Sequence, residues 1–311
     1  MIIDLTETTT GQIQQALTQA RRRLGGPAMG MVLTLVISTD EALQYDAIRA
    51  ASQAGREHPC RVLGVITRDS RSRPRLDAEI RVGETTPGET VLLRLYGPLG
   101  EHADSVVAPL LVPDTPVVTW WPGVAPEAPS ADPLGALAQR RVTDAAASEQ
   151  SVEKASEQSV EKLSKLAATY RPGDTDFAWT RATPWRSLLA ATLDQPHDEI
   201  TGGQVGAEAG NPTAALLASW LSIALKVPFT NETSAGPGIT EVRLATLVGE
   251  IALTRPDGRV ATLSRPDQPD RMVALRRREN PELLAEELRK LDPDEVYAET
   301  IAHFALRTTS R

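Results

Sequence analysis

Apolar residues in this chain alternate between helical spacing and short continuous runs. Ile13, Ala16, Leu17 and Ala20 recur on one side, followed by Arg21-Arg22-Arg23 and Gly25-Gly26-Pro27. That spacing predicts an amphipathic helix over 11–23 with a basic end. Residues 31–37 (MVLTLVI) are continuously apolar, as in a strand buried on both faces. Thr39-Asp40 then caps a helix carrying Leu43, Ala47, Ile48, Ala51 and Ala54, closed by Gly55. Residues 60–67 (CRVLGVIT) form the next strand. This strand, helix, strand order predicts two parallel strands joined by a right-handed crossover. Residues 76–82 alternate, giving a strand with one wet face, and 90–96 form another. A short helix is expected over 102–111. Residues 109–123 (PLLVPDTPVVTWWPG) turn at 113–116 and run as a strand into Trp120 and Trp121, which alternation sends to opposite faces.

Asp132-Pro133 opens a short helix ending at Arg140-Arg141. The heptapeptide SEQSVEK then occurs twice, at 148–154 and 156–162. An eight-residue insertion rotates everything after it by about 80°, which a solvated helix tolerates and a packed one does not. Residues 146–164 are therefore read as an exposed polar helical connector. Beyond it, Pro172-Gly173 makes a turn and Thr183-Pro184 starts a helix with Trp185, Leu188 and Leu189. A strand over 200–207 is followed by a strongly apolar helix from Asn211-Pro212. Runs at 239–244, 250–254, 260–264 and 272–275 predict an antiparallel meander, with its clearest turn at Arg255-Pro256-Asp257-Gly258. Helices from Asn280-Pro281 and Asp292-Pro293 close the chain, the last with Glu295 at capping-box spacing. Five helix starts thus pair a cap residue with proline, whose missing N–H costs nothing at that position.

The expected fold class is α/β in two lobes. An N-terminal domain (1–145) carries a mostly parallel, Rossmann-like sheet with flanking helices. A C-terminal α+β domain (165–311) carries the antiparallel meander and terminal helices.

Composition narrows the function. Of 311 residues, 41% are hydrophobic and 24% charged, as in ordinary globular proteins. The formal net charge of −8 argues against nucleic acid as the main partner. No apolar run approaches the ~18 residues of a membrane span, and 1–4 (MIID) lacks the basic and apolar regions of a leader, so a cytoplasmic location is expected. Cys60 is the sole cysteine, which excludes an internal disulfide and a multi-cysteine zinc site.

Motifs for catalysis are missing. There is no G-x-S-x-G and no G-x-x-x-x-G-K-[ST]. The glycines of 24–30 precede a strand instead of following one, and 202–206 (GGQVG) lacks the dinucleotide spacing. His58, His102, His197 and His303 do not pair at metal-ligand spacing. No catalytic, cofactor or metal site is expected. Asp174 and Asp176 are either an acid–base pair or turn and cap residues. Arg68, Arg71, Arg73 and Arg75 are either an anion contact or a solvated loop, and Arg276-Arg277-Arg278 poses the same choice. Trp179, Arg181, Trp185 and Arg186 are of the types enriched in interface hot spots. With Trp120, Trp121, Asp174 and Asp176 they make the expected partner interface.

Six segments also carry a resemblance: 56–62 (REHPCRV), 93–99 (LRLYGPL), 109–123, 139–145 (QRRVTDA), 167–181 (AATYRPGDTDFAWTR) and 284–297 (LAEELRKLDPDEVY). Together they resemble, in order and over nearly the whole chain, the glucose-6-phosphate dehydrogenase assembly protein family, OpcA, in its actinobacterial form. The resemblance implies a non-catalytic cytoplasmic protein. It would bind glucose-6-phosphate dehydrogenase, promote the active oligomer, and support the oxidative pentose phosphate pathway and NADPH supply. It brings no catalytic residues. The doubled SEQSVEK departs from the family pattern. The alternative is a metabolite- or nucleotide-sensing module, its ligand near the strand ends of the first lobe and 68–75.

Overall fold

The structure, a computed structural model, describes residues 1–24, 30–68, 71–83, 88–147 and 152–309. The helix stop at 25–27, part of the basic loop (69–70) and the start of the first SEQSVEK copy (148–151) lie outside the described residues. In chain order the elements are β1 (Ile2–Leu5), α1 (Thr10–Leu24), β2 (Leu33–Thr39), α2 (Gln44–Ala54), β3 (Cys60–Thr67), β4 (Arg75–Val82) and β5 (Glu89–Tyr96). Next come α3 (Ala103–Val107), β6 (Val117–Trp120), α4 (Pro133–Ala136), β7 (Arg140–Thr143), α5 (Val152–Thr169), β8 (Asp174–Asp176) and α6 (Phe177–Leu193). Then follow β9 (Ile200–Ala207), α7 (Pro212–Leu225), β10 (Phe229–Thr233), β11 (Ile239–Thr246), β12 (Gly249–Thr254), β13 (Val260–Arg265) and β14 (Gln268–Ala274). The last helices are α8 (Asn280–Arg289) and α9 (Glu295–Thr309). Two compact units emerge. The first comprises 1–144, 171–175 and 279–293; the second comprises 145–170, 176–278 and 294–311.

The first unit is built on an eight-stranded sheet of order β1-β4-β5-β3-β2-β6-β7-β8. Its centre is parallel: β3 pairs with β5 and β2, β2 with β6, and β6 with β7. The edge turns antiparallel through β4 and β1. β2 and β3 are buried on both faces along nearly their whole length, and β4 alternates buried and half-buried residues, as the pattern requires. Ile13, Leu17 and Ala20 of α1 pack with Leu76, Ala78, Ile80 and Val82 of β4. Asp40, expected as the cap of α2, instead closes the turn before it, its Oδ1 accepting from Leu43 N at 2.8 Å; Leu43 takes the cap position without a side-chain hydrogen bond. α8 packs beside α2.

Residues 140–143 correct the sequence reading. Arg140-Arg141 does not end a helix; it opens β7, and both arginines are buried. Each is neutralised inside the unit. Arg140 Nε donates to Glu287 Oε2 at 2.9 Å and its Nη1 to the Asp292 carbonyl at 3.1 Å. Arg141 pairs with Asp174 and donates to the carbonyls of Ala138 and Pro172. The turn at Gly173 makes this possible. Its φ is +95°, and a Cβ there would stand 2.3 Å from the Gln139 carbonyl oxygen. Arg61 and Glu89 form a third buried pair at 2.9 Å. Burial lowers the pKa of Arg61, and Glu89 opposes that.

Cys60 sits at the start of β3, and burial pushes its thiol up to about 12. At pH 8 roughly one thiol in 10⁴ is then ionised, against about a quarter of a free thiol. Labelling by a thiol-reactive disulfide reagent at pH 8 should therefore be at least ~10³-fold slower in the folded protein than in urea. Fast labelling without denaturant would contradict this burial. Because the folded pKa is raised, the thiol's contribution to stability is intact below about 9 and is lost as pH rises towards 12.

The second unit carries a six-stranded sheet of order β10-β9-β11-β12-β13-β14. β11 to β14 are the expected antiparallel meander. β10, which the sequence reading did not include, pairs parallel with β9 across the α7 crossover. Trp185 and Leu189 of α6 and Leu217 and Leu221 of α7 pack with the sheet core. A second cluster joins Leu163 of α5, Trp179, Leu216, and Tyr297, Ile301 and Phe304 of α9. Expected as wholly exposed, α5 is amphipathic over 158–169: Ser159 and Leu163 are buried, while Glu161 and Lys165 face solvent.

Two of the five expected cap residues stand where the sequence puts them. Asp132 Oδ1 accepts from Leu134 N and Gly135 N, and Asn211 Oδ1 from Ala214 N at 2.9 Å. The other three shift. α6 begins at Phe177, capped by Asp176; the α8 cap falls on Glu279; and Asp294 Oδ1 accepts from Tyr297 N at 3.0 Å to start α9.

Candidate functional site

Starting seven residues earlier than expected places Pro184 inside α6. Proline has no N–H, so the carbonyl of Thr180, four residues back, loses its helical donor. Arg278 Nη2 donates to that carbonyl instead. The segment after β14 is thereby pinned to α6. Arg255, at the end of β12, is only 4% exposed. Its Nη1 donates to the Leu275 carbonyl and its Nη2 to the Ile239 carbonyl, both at 2.9 Å. Its guanidinium lies 4.8 Å from the centroid of the Trp185 ring.

These contacts enclose a pocket of about 210 Å³ within the second unit. Five arginines line it (Arg181, Arg255, Arg276, Arg277 and Arg278) against one carboxylate, Glu208. That carboxylate is already engaged: Oε1 accepts from Asn211 Nδ2 at 3.0 Å and Oε2 from Gly238 N at 2.8 Å. Gly238 has φ +66°, and a Cβ there would stand 3.7 Å from Arg277 Nε and 3.9 Å from Arg255 Nη2. Two guanidinium groups thus face one spot, no more than about 8 Å apart. At that distance two unit charges repel by about 0.5 kcal/mol with full water screening and about 2 kcal/mol near a protein surface. Burial first, and Arg277 second, lower the pKa of Arg255 to about 10, with Asp257 opposing; it stays protonated at neutral pH.

The residues expected at a partner interface fall in both units. In the first, Trp120 and Trp121 are 1% and 3% exposed, so neither ring presents a surface to a partner. β6 lies between β2 and β7, and Trp121 N extends its pairing by donating to the Val142 carbonyl. A Cβ on Gly135 would stand 3.2 Å from the Trp121 ring. Asp174 holds Arg141 and accepts from Arg171 N at 2.7 Å. In the second unit, Asp176 caps α6 by accepting from Ala178 N, and it also accepts from Ala145 N. Trp179 is buried, its Nε1 donating to Asp294 Oδ2 at 2.9 Å, with the Arg186 guanidinium 3.5 Å over its ring. Trp185 and Arg181 line the pocket.

The basic loop of the first unit is mostly spoken for. Arg68 pairs with Glu41 and Arg73 with Glu7. Arg75 pairs with Asp77 and lies 3.9 Å over the Tyr96 ring. Arg71 is exposed. Sequence reasoning missed Arg255 because it reads there as a turn residue. Pro184 within a long apolar run did signal that some donor reaches the Thr180 carbonyl, but that donor is Arg278, and nothing in the sequence marks Arg255 as buried. Among the described residues, no three His, Cys, Asp or Glu side chains come together to hold a metal ion. No described helix is long and apolar enough to cross a membrane.

The two sheets and the arginine-lined pocket define an α/β protein with one mostly parallel and one mostly antiparallel unit. Residues 51–161 match the family described as glucose-6-phosphate dehydrogenase subunit N-terminal domain, and 172–301 match its C-terminal domain counterpart. The chain belongs to the OpcA glucose-6-phosphate dehydrogenase assembly family. No curated protein matches it at a significant level. Among solved structures it is similar to an oxidoreductase domain protein from Kribbella flavida, at 8% identity over 89% of this chain and 96% of that one, TM-score 0.46. It is also similar to an oxidoreductase from Sinorhizobium meliloti, at 10% identity over 89% of each chain, TM-score 0.41. Likenesses that distant carry no argument about chemistry.

Proposed function

We propose that the chain binds glucose-6-phosphate dehydrogenase and favours its active oligomer without catalysing a reaction itself. The observation that carries this is the pair of consecutive family matches, over 51–161 and 172–301. The buried charges agree with it: Arg140, Arg141 and Arg61 are each committed to a carboxylate that holds the fold. The mechanism is mass action. A partner that binds the active oligomer more tightly shifts the equilibrium by that difference, and equal affinity for both forms shifts nothing. A hundredfold preference corresponds to about 2.7 kcal/mol. The reading places the protein in the cytoplasm, where it raises flux into NADPH supply. Of the residues expected at the interface, Arg181 and Arg186 keep part of their side chains at the surface.

Adding the purified chain to the dehydrogenase should raise its specific activity and its mass by light scattering, in the same stoichiometric range. Unchanged mass and activity at micromolar excess would reject the proposal.

A further inference from the structure

We propose that the pocket beside α6 binds a small phosphate monoester, its phosphate seated between Arg255 and Arg277 in front of Gly238. This goes beyond the assembly reading and does not depend on it. Three observations carry it. First, the two guanidinium groups converge on Gly238, and neither has a carboxylate within ion-pairing distance among the described residues. A dianion between them turns a repulsion into two attractions, each charge-assisted. Second, the space is kept open. Gly238 carries no side chain, and Glu208, the one carboxylate in the lining, is occupied by Asn211 and the Gly238 amide. Third, Arg255 is rigidly placed: two backbone carbonyls hold it and the Trp185 ring flanks it. It supplies a fixed charge, while the exposed Arg277 supplies a fork that closes on the phosphate. The amino end of α7, which lines the same pocket through Asn211, adds a favourable dipole.

Size selects the ligand class. Pockets for drug-sized ligands run to about 300–1,000 Å³. This one, at about 210 Å³, suits a phosphate with a short carbon body and is too small for a dinucleotide. The anion site expected at Arg68 to Arg75 is the weaker one, because Arg68, Arg73 and Arg75 already meet carboxylates.

Calorimetric titration of the full chain with glycerol phosphate and inorganic phosphate, against chloride at matched ionic strength, tests this. The monoester should saturate one site per chain and raise the Tm, while chloride does neither. Arg277→Gln lies at the surface and should fold normally by circular dichroism, yet weaken the monoester at least tenfold. Arg73→Gln, in the other unit, should leave binding unchanged. The proposal is overturned if neither phosphate saturates, if chloride mimics them, or if Arg277→Gln binds as well as the parent. It is equally overturned if Arg277→Gln loses only the dehydrogenase while no phosphate binds, since the pocket would then be a protein contact.

Discussion

Replacing Glu287 by alanine should cost about 3–5 kcal/mol of stability, enough to unfold many single domains. Glu287 and Arg140 are 4% and 5% exposed at their side chains, with Arg140 Nη2 2.5 Å from Glu287 Oε2. The pair links β7 to α8. Taking away the carboxylate leaves a guanidinium buried, and arginine does not shed its proton to escape that cost. Among the described residues, the carbonyl of Asp292 is then the acceptor left to Arg140. The pair's net worth is a separate quantity, because desolvation offsets much of its attraction. A double variant, Arg140→Met with Glu287→Leu, should therefore recover most of the loss. Urea unfolding of the parent, the two single variants and the double variant measures both numbers. A loss below about 1 kcal/mol for Glu287→Ala would mean that water reaches the guanidinium, contrary to the burial described.

Trp120→Ala and Trp121→Ala should each lower stability by about 3–5 kcal/mol, the cost of emptying a buried aromatic site. Both rings are enclosed: Trp120 in a strand paired on both sides, Trp121 against Gly135. Dehydrogenase binding per folded molecule should be unaffected by either change. If one variant kept its stability and lost its binding, that ring would be a partner contact and its burial here would be wrong. The alternation rule sends the two rings to opposite faces. It could not show that both faces of β6 are covered, because the covering elements lie far away in sequence.

That contrast explains what the sequence could and could not show. β2, β3, β4, β5 and the meander were legible because their hydrophobic period is carried by neighbouring residues. β7 was not. Two adjacent arginines look like a helix end, and only Glu287 and Asp174, 147 and 33 residues further on, make them interior. β1 and β10 are short edge strands of four and five residues, with little pattern to read. The cap-plus-proline rule located Asp132 and Asn211. It misplaced the start of α6, because Pro184 is tolerated in mid-helix once Arg278 satisfies the Thr180 carbonyl. The candidate site was half visible: Arg181, Trp185 and Arg276 to Arg278 had all drawn notice, but the buried Arg255 that organises them had not.

The first unit is assembled from three separate stretches, and the chain passes between units five times along its length. This sets an order of events on the ribosome. At ~5–20 residues per second, the 147 residues from Arg140 to Glu287 take roughly 7–30 s to be made. Throughout that interval β7 can pair with β6 only while its arginine is still hydrated, so the open side of the first sheet stays unsealed. The second unit's strands emerge in the meantime and can finish first. A nascent chain halted between residues 275 and 279 therefore holds the strands of both sheets but lacks α8, which supplies the partner of Arg140, and no single proteolytic cut yields the first unit whole.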